Sequence, residues 1–343
     1  MKNNFSIRNL RGFSLIELLV SMAIGLFIML GAMSIFVSSK QSYAQQDASS
    51  QMQENARFAL EMLARDTRTA GMSGCSDGIS IANTLTDTGS YEGEAMSFSN
   101  GLTGYAGDAT NSTFPASFKD ISSPNTDAIV IHSMDTDSEL IVSSHNPSSA
   151  TISFTTSDST LQQGDIVMMI DSNCTNMAVF ANTGPANVAN NASTSIHNTG
   201  NIAGEDYQNC SKSVKGSFSC GDTTGALSLA YTSGSSVFKI ESFAYYIAPS
   251  SLDAAILSLY RKNVSDTSIA VEEMVEGVTD LDIYYGLKLG SNTQYLQADG
   301  ITNANWVNVQ SVRYKVTVRS LSLVSGAPVS KTFTTTIKLR NRG

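Results

Sequence analysis

The sequence begins with a basic stretch followed by a long apolar run. From Phe13 to Val37 there are 25 residues with a single charged side chain, Glu17. About 20 apolar residues suffice to cross a ~30 Å hydrocarbon core, so the run predicts a membrane-spanning helix. The residues before it carry three basic side chains and no acid, at Lys2, Arg8 and Arg11. Because basic flanks stay in the cytoplasm, the chain beyond Val37 is expected on the other side.

An ordinary secretory signal does not fit this arrangement. Such a signal has an apolar region of about 7–15 residues followed by a small-residue cleavage site. Here the small residue, Gly12, precedes the apolar run. Cleavage after Gly12 would leave the run on the mature chain and place the new α-amine of Phe13 one helical turn from Glu17. That amine can pair with Glu17 of its own chain or of a neighbouring subunit, which explains an acid in an otherwise apolar segment.

Residues 11–17, with the sequence RGFSLIE, resemble the processing motif of type IV pilin precursors. The resemblance implies that prepilin peptidase cleaves between Gly12 and Phe13, that Phe13 is N-methylated, and that Glu17 acts in subunit assembly. The alternative is a lone membrane anchor with a chance glutamate. Small residues also form one stripe of the predicted helix, which favours close helix approach within a membrane, at Ser14, Ser21, Gly25 and Ala32.

Composition is typical of a secreted protein with a β-rich surface rather than of a cytosolic enzyme. Only 15% of residues are charged and the formal charge is −9. Removal of residues 1–12 takes away three basic residues and no acid, so the net charge moves from −9 to −12. Nucleic-acid binding favours basic surfaces, so direct binding of DNA or RNA is not expected.

The four cysteines all follow the apolar run, at Cys75, Cys174, Cys210 and Cys220. An even number in an oxidising compartment predicts disulfides. Of the three possible pairings, we favour Cys210–Cys220 as a local closure and Cys75–Cys174 as a long tie. A zinc site is the rival, but there is no Cys-x-x-Cys and the three histidines are not suitably spaced. We therefore expect no metal and no cofactor.

The predicted helix extends well beyond the membrane segment. No proline occurs before Pro115, so residues 13–71 can form one helix, of which 13–37 is transmembrane. A second apolar face appears after residue 50 at helical spacing, through Met52, Ala56, Ala59, Leu63 and Ala70, widened by Phe58, Leu60 and Met62. This amphipathic face predicts packing against a globular domain. Gly71 and Gly74 are expected to end the helix.

Residues 72–343 are predicted to form a β-rich extracytoplasmic domain. Runs rich in β-branched and aromatic residues predict strands at 128–134, 139–142, 151–154, 165–170, 177–180, 237–247, 255–260, 281–285, 309–321 and 331–339. The Ser-, Thr-, Asn- and Gly-rich segments 76–127 and 182–224 are expected to be loops. The expected fold is α+β: a long N-terminal helix packed on antiparallel sheet, as either one curved sheet with an insertion or two subdomains.

Further stretches resemble the PilW type of minor pilin. One is QENARFALEMLARDTRTAGMSGC, from residue 53 to 75. The others are MVEGV at 274–278, YYG at 284–286 and the Thr-rich end through LRNR at 339–342. These stretches lie towards the two ends of the chain, and the resemblance does not cover its middle.

No catalytic site is apparent. Residues 71–75, GMSGC, differ from a Gly-x-Ser-x-Gly elbow and follow a helix. The Ser-x-x-Lys match at Ser236–Lys239 lies at a strand start without companion motifs, and His132, His145 and His197 are isolated along the sequence.

The charges near the C-terminus are segregated. There are seven basic residues and no acid from residue 313 onward, namely Arg313, Lys315, Arg319, Lys331, Lys338, Arg340 and Arg342. An acidic group precedes them, at Glu272, Glu273, Glu276, Asp280 and Asp282. Cross-strand pairing within one sheet is the preferred explanation. The alternatives are a contact with the next subunit and a basic strip that touches DNA.

The PilW resemblance implies a structural subunit of the type IV pilus. It would join other minor pilins and the major pilin in the tip or initiation complex that primes assembly, and would help to carry a tip adhesin. Adhesion, twitching motility and DNA uptake would follow from pilus formation. The expected location is the inner membrane, with the C-terminal domain periplasmic, and then the cell surface. The alternatives are a minor pseudopilin of a type II secretion system and a membrane-tethered periplasmic enzyme.

Overall fold

The computed structural model describes residues 14–71, 75, 80–87, 97–156, 161–184, 193–202, 207–215, 220, 229–265, 271–290 and 292–340. Gly12 and Phe13, the predicted cleavage pair, lie outside these residues, as do Gly74 and Arg342. The chain divides into two compact units, one of residues up to 51 with 320–329, and the other of the remainder.

One long helix, α1, runs from Leu15 to Thr69. Its charges suit the helix dipole, because Glu17 lies in the first turn and Arg68 in the last. The helix ends where the sequence predicts, since Gly71 has φ of 64°, the left-handed conformation that glycine adopts at a helix C-terminus. The Gly71 N–H then donates to the His132 carbonyl at 2.8 Å.

The second part of α1 has the predicted buried face. Five apolar residues of the predicted pattern are at most 5% exposed, namely Met52, Ala56, Ala59, Leu63 and Ala70. Phe58 was expected to widen this face, but it is 47% exposed and points to solvent. Two polar residues, Asp66 and Thr67, are instead buried beside Leu63. The buried face is therefore narrower in its apolar part than expected and contains polar groups.

Seventeen strands occur in the described part of the chain. They are β1 (Ser80–Asn83), β2 (Leu85–Asp87), β3 (Leu102–Tyr105), β4 (Ala128–Asn146), β5 (Thr151–Phe154), β6 (Ile166–Ile170), β7 (Asn176–Ala181), β8 (Thr194–Ile196), β9 (Gly200–Asn201), β10 (Tyr207–Asn209), β11 (Ser236–Pro249), β12 (Leu257–Asn263), β13 (Glu272–Glu276), β14 (Val278–Leu289), β15 (Asn292–Leu296), β16 (Val309–Arg319) and β17 (Ser330–Lys338). A short helix, α2, spans Ala116–Lys119. Short strands thus occupy parts of the two segments expected to be loops.

The strands form three sheets. The largest has ten strands, in the order β1-β7-β6-β11-β4-β5-β8, with β3 paired to β4 and with β12 and β13 extending from β11. A small sheet has the order β2-β10-β9, and the C-terminal sheet has the order β15-β14-β16-β17. All described pairings are antiparallel except that of β1 with β7. The predicted α+β class, a long N-terminal helix packed on antiparallel sheet, is confirmed.

A single glycine joins the largest sheet to the C-terminal one. Strand β13 ends at Glu276 and β14 begins at Val278, with Gly277 between them at φ of 81°. A residue with a side chain rarely adopts this backbone conformation. The Gly277 N–H donates to Leu257 at 2.9 Å, and its carbonyl accepts from Arg319 at 2.7 Å. The glycine noted in the MVEGV stretch is therefore the corner between two sheets.

Two disulfides are present, with the pairing that the sequence favoured. Cys75 bonds to Cys174 across a sequence separation of 99, and Cys210 bonds to Cys220 across a separation of 10. The Cα–Cα distances are 5.6 and 5.3 Å, within the usual disulfide range. The long bond ties the segment just after α1 to the turn before β7.

Candidate assembly site

The first turn of α1 contains a reciprocal capping arrangement. The Ile16 N–H donates to Ser14 Oγ at 3.3 Å, and the Ser14 N–H donates to Glu17 Oε2 at 3.2 Å. This is the capping box, in which the N-cap hydroxyl and a carboxylate three residues later satisfy helix-end N–H groups. The small-residue stripe alone does not reveal this role of Ser14. The Ser-x-x-Glu spacing was the signal that could have identified its role.

The capping box fixes where the Glu17 carboxylate lies. One oxygen is held by the Ser14 N–H, while Oε1 has no partner among the described residues. Ser21 Oγ donates to the Glu17 carbonyl at 2.6 Å, which anchors the next turn of the small-residue stripe to the backbone. The carboxylate is thus oriented at the helix N-terminus with one acceptor oxygen available for a cation.

The apolar part of α1 is exposed along its length. Its large hydrophobic side chains between Leu15 and Val37 are 44% to 79% exposed. Neither Gly25 nor Gly31 has any atom within 4 Å of the position that a Cβ would occupy. By length and composition this helix can cross a membrane. Water does not favour so much contiguous apolar surface, which is typical of a segment that contacts lipid or other apolar helices.

The later part of α1 is fixed to the sheets by a buried polar cluster around Asp66. Tyr245 donates its hydroxyl to Asp66 Oδ2 at 2.6 Å, and Arg261 Nη2 lies 3.4 Å from the same oxygen. Arg65 Nε contacts Asp66 Oδ1 at 3.0 Å. The Arg261 guanidinium also stacks on Phe243, 3.5 Å from the ring centre. Burial, with the neighbouring Asp66 charge, raises the pKa of Tyr245, so the tyrosine stays a donor.

Two further contacts extend this attachment along the helix. The Thr67 and Tyr314 hydroxyls are 2.6 Å apart, and Thr67 also donates to the Leu63 carbonyl at 2.6 Å. Asn55 Nδ2 donates to the Glu276 carbonyl at 3.0 Å. The helix therefore contacts β11, β12, β13 and β16 through side chains that lie far apart in sequence.

The segregated charges near the C-terminus are partly explained by pairing within the C-terminal sheet. Lys315 Nζ lies 2.6 Å from Asp282 Oδ2 across the β14–β16 pair. Arg313 packs 3.9 Å from the Tyr295 ring centre and donates to Thr336 Oγ1 at 3.2 Å. The prediction of cross-strand pairing is confirmed for Lys315 and Asp282.

The fold brings two of the three histidines together and buries the third. His145 and His197 are isolated in sequence, but the fold places their Nε2 atoms 2.9 Å apart. Burial lowers the pKa of His145 to about 4 and that of His197 to about 3. His132 is buried and bonded to Ser242 at 2.8 Å. No group of three or more potential metal ligands occurs in the part of the chain that the structure describes.

In the fold, the serine and the lysine of the Ser-x-x-Lys match each bond to an acidic side chain. Ser236 Oγ donates to Glu139 at 2.8 Å, and Lys239 Nζ pairs with Asp165 at 3.0 Å. The serine and lysine are thus bonded to different acids and form no nucleophile–base pair.

Two family models match the chain. The prokaryotic N-terminal methylation motif matches residues 7–33, and type IV pilus-assembly protein W, PilW, matches residues 244–335. The chain matches a PilW-family pilin. The PilW family is one of structural pilus subunits, and the prepilin motif implies contact with prepilin peptidase and other pilus components. No curated protein and no solved structure matches the chain.

The PilW match coincides with the surface that receives α1. The partners of the helix side chains described above are Tyr245, Arg261, Glu276 and Tyr314, and all four lie within residues 244–335. Gly277, the corner between the sheets, also lies within the match. The side chains of α1 described above are therefore held by the PilW-type region, while the Arg68 carbonyl accepts from the N–H of Arg340, outside the match, at 3.4 Å.

Proposed function

We propose that the chain is a minor pilin of the complex that primes a type IV pilus and remains at or near its tip. The single observation that carries this proposal is the contrast within α1. Its residues 15–37 present apolar side chains outward, whereas its residues 52–69 are fixed by the PilW-type strands. The apolar end of such a helix can pack against the helices of neighbouring subunits, while the other end carries a folded domain. No step of this proposed role needs catalysis or a cofactor.

The proposed topology follows from the charges that flank the apolar run. Residues 1–12 are a leader that prepilin peptidase removes, and residues 13–37 hold the subunit in the inner membrane. The basic leader keeps the N-terminus cytoplasmic, which places residues 72–343 in the periplasm and, after assembly, on the cell surface. The partners are the other minor pilins, the major pilin and a tip adhesin. Adhesion, twitching motility and DNA uptake follow from the pilus.

Glu17 sets the register of assembly in this proposal. The Ser14 N–H holds one carboxylate oxygen at 3.2 Å, so the other is oriented without further loss of side-chain freedom. The N-methylated amine of Phe13, on the same or a neighbouring subunit, would be its partner. An amine and a carboxylate that meet in an apolar environment attract strongly, since little water screens them. A subunit in the wrong register would leave both charges unpaired.

Two substitutions at Glu17 separate assembly from helix capping. Glu17→Gln keeps an oxygen that accepts from the Ser14 N–H but removes the charge, whereas Glu17→Ala removes both. We expect both variants to insert and to be cleaved normally, and both to lose at least tenfold in surface pili and in co-purification with other minor pilins. Secretion of exoproteins should be unchanged, because only a minor pseudopilin of a type II secretion system, the alternative function, would be needed for it. Normal pilus number in Glu17→Gln would show that capping alone is required and would overturn the pairing with Phe13.

The mature N-terminus is a separate prediction. Because Gly12 precedes an intact apolar run, mass spectrometry of the protein from piliated cells should find N-methylated Phe13 as the first residue. A chain that retains Met1, or one cut within or after the apolar run, would contradict the pilin proposal.

A further inference from the structure

The last strand of the C-terminal sheet, β17, has an open edge. Among the described strands, only β16 pairs with it. Leu339 continues the β16–β17 register by donating its N–H to Gln310 at 2.9 Å. Hydrogen-bonded and non-hydrogen-bonded pairs alternate in an antiparallel ladder, so odd-numbered residues of β17 bond to β16. The backbone N–H and C=O groups of Thr332, Thr334 and Thr336 therefore point to the open edge.

This edge lacks the features that usually prevent strand addition. Exposed edges are typically short, bulged, or interrupted by charges or proline. Strand β17 has nine residues, and its central part, residues 332–337, reads TFTTTI, without charge, proline or glycine. Its lysines, Lys331 and Lys338, lie only near its ends. An uncharged six-residue segment of high β-propensity is the kind that recruits another strand.

A groove lies beside this edge, between β17 and the later part of α1. Its volume is about 550 Å³. The lining includes four apolar side chains, Ala56, Leu60, Ala64 and Phe333, and three charged ones, Arg57, Glu61 and Arg68. A strand added to β17 would lie about 4.8 Å from it and would place alternate side chains over this groove.

The charges around the groove select the occupant. Lys331 lies on the groove side of β17, with its Nζ 5.4 Å from the ring centre of Phe333, which lines the groove. Arg57 is paired to Glu61 at 3.2 Å, whereas Arg68 has no ion-pair partner in the described part of the chain. Like charges that face each other across strands are destabilising, and opposite charges are favourable. An added strand should therefore carry acidic side chains on the face that covers the groove.

The same charges disfavour a second copy of this chain as the occupant. If two β17 strands paired antiparallel, the Lys338 end of each would meet the Lys331 end of the other. Neither strand contains an acid to compensate these lysines. The charges thus favour a different protein over self-pairing.

We propose that β17 and the adjoining groove form a docking site for an extended acidic segment of another protein, which adds to the C-terminal sheet as a fifth strand. Backbone hydrogen bonds to Thr332, Thr334 and Thr336 would provide the pairing, and the groove would select acidic and apolar side chains. This mode of peptide recognition uses main-chain bonds for affinity and side-chain pockets for specificity. The site is separate from Glu17, so its test is independent of the proposed role in pilus assembly.

The test uses the full chain in detergent micelles and two synthetic peptides. Both peptides are threonine-rich and capped, with a central leucine on one face. That face carries two glutamates in the first peptide and two lysines in the second. Amide hydrogen exchange is measured at Thr332, Thr334 and Thr336. We expect the glutamate peptide to slow exchange at these three amides at least tenfold at saturation, and the lysine peptide to have no effect.

Two matched variants distinguish edge pairing from other binding. Thr334→Pro removes an N–H that does not bond to β16, so the sheet should fold while protection of Thr332 and Thr336 is lost. Thr334→Val keeps the N–H and should retain the full effect. Circular dichroism checks that each variant is folded. If Thr334→Pro fails to fold, the exposed Arg68→Glu replaces it and should reverse the preference between the two peptides.

Three results would overturn the proposal. One is the absence of protection at the three threonines when the glutamate peptide is raised to millimolar concentration. Another is equal protection by both peptides, because the groove would then not select acidic side chains. The last is protection that appears without peptide and disappears on dilution, because a second copy of this chain would then occupy the edge.

Discussion

The two ends of α1 use one secondary structure in opposite ways. Between Leu15 and Val37 the large apolar side chains are at least 44% exposed, whereas Ala56, Ala59 and Leu63 are at most 1% exposed. Polar groups are also used differently. Glu17 is oriented by a local cap three residues away, while Asp66 is held by Tyr245 and Arg261, which lie far along the chain. The same helical backbone thus presents a surface to partners at its N-terminal end and is fixed to the β domain at its C-terminal end.

The largest expected effect is at the buried end, at Asp66. In Asp66→Ala, Arg261 and Tyr245 lose their shared acceptor while they remain largely buried. Removal of one partner from a buried ion pair costs about 3–5 kcal/mol. We expect this loss in the free energy of unfolding, measured in urea with the disulfides intact. Glu61→Ala is the control: its pair with Arg57 is exposed, so the loss should stay below about 0.5 kcal/mol. Similar losses in both variants would mean that the Asp66 cluster does not fix the helix.

A matched pair of leucine truncations compares the two ends directly. Leu63 is fully buried, so Leu63→Ala should lower the free energy of unfolding of the β domain by about 2–5 kcal/mol. Leu26 is 64% exposed, so Leu26→Ala should leave that free energy unchanged and act only on membrane or subunit contacts. Urea unfolding of the detergent-solubilised chain measures both. The contrast fails if Leu26→Ala destabilises the domain as much as Leu63→Ala does.

Acidification should lower the free energy of unfolding of the domain through a pair of histidines that lies outside α1. His145 and His197 have pKa values lowered by burial to about 4 and about 3 in the fold, below the ordinary value of 6.5. The unfolded chain therefore binds more protons as the pH falls below 6.5, so stability decreases on acidification. The expected loss is about 2 kcal/mol per histidine between pH 7 and pH 5. His197→Phe should flatten this dependence in urea unfolding at the two pH values. An unchanged pH dependence would rule out the histidine pair as its cause.

The smallest effect concerns the cap at the exposed end. Ser14→Ala removes the hydroxyl that accepts the Ile16 N–H, and loss of an N-cap costs about 1 kcal/mol of local helix stability. Amide exchange in the first turn should quicken about fivefold, with no change at Thr67. Ser14→Thr keeps the acceptor and should restore slow exchange. Equal exchange in wild type and Ser14→Ala would show that the capping box does not hold the first turn.

The sequence predicted what depends on local pattern and missed what depends on distant partners. Apolar spacing identified Met52 and Leu63 as buried, because a helix repeats every 3.6 residues. It gave no sign that Asp66 would be buried beside them, since Tyr245 is 179 residues away. The His145–His197 contact was missed for the same reason, because the partners are separated by 52 positions in the sequence.

Strand prediction from the sequence was limited in a similar way. The long strands β11, β16 and β17 were expected because their β-branched and aromatic residues alternate with polar ones. Short strands such as β2 and β10 consist of three residues each and lie in segments rich in polar residues. Such strands exist because a neighbouring strand is available, which composition alone does not reveal. The roles of Gly12 and Phe13 rest on the motif, and those of Glu17 on the motif and the first-turn geometry.

The bond between Cys75 and Cys174 has a mechanical consequence. In the proposed role as a pilus subunit, tension along the filament would load α1 and leave it at Thr69, only a few residues before Cys75. From there the covalent bridge carries tension directly to Cys174 and bypasses the chain between the two cysteines, whose sequence separation is 99. A stretched chain of that length would extend by roughly 330 Å. The bridge prevents this extension. A subunit under tension would therefore transmit force to the start of β7 without unfolding of the strands between the two cysteines.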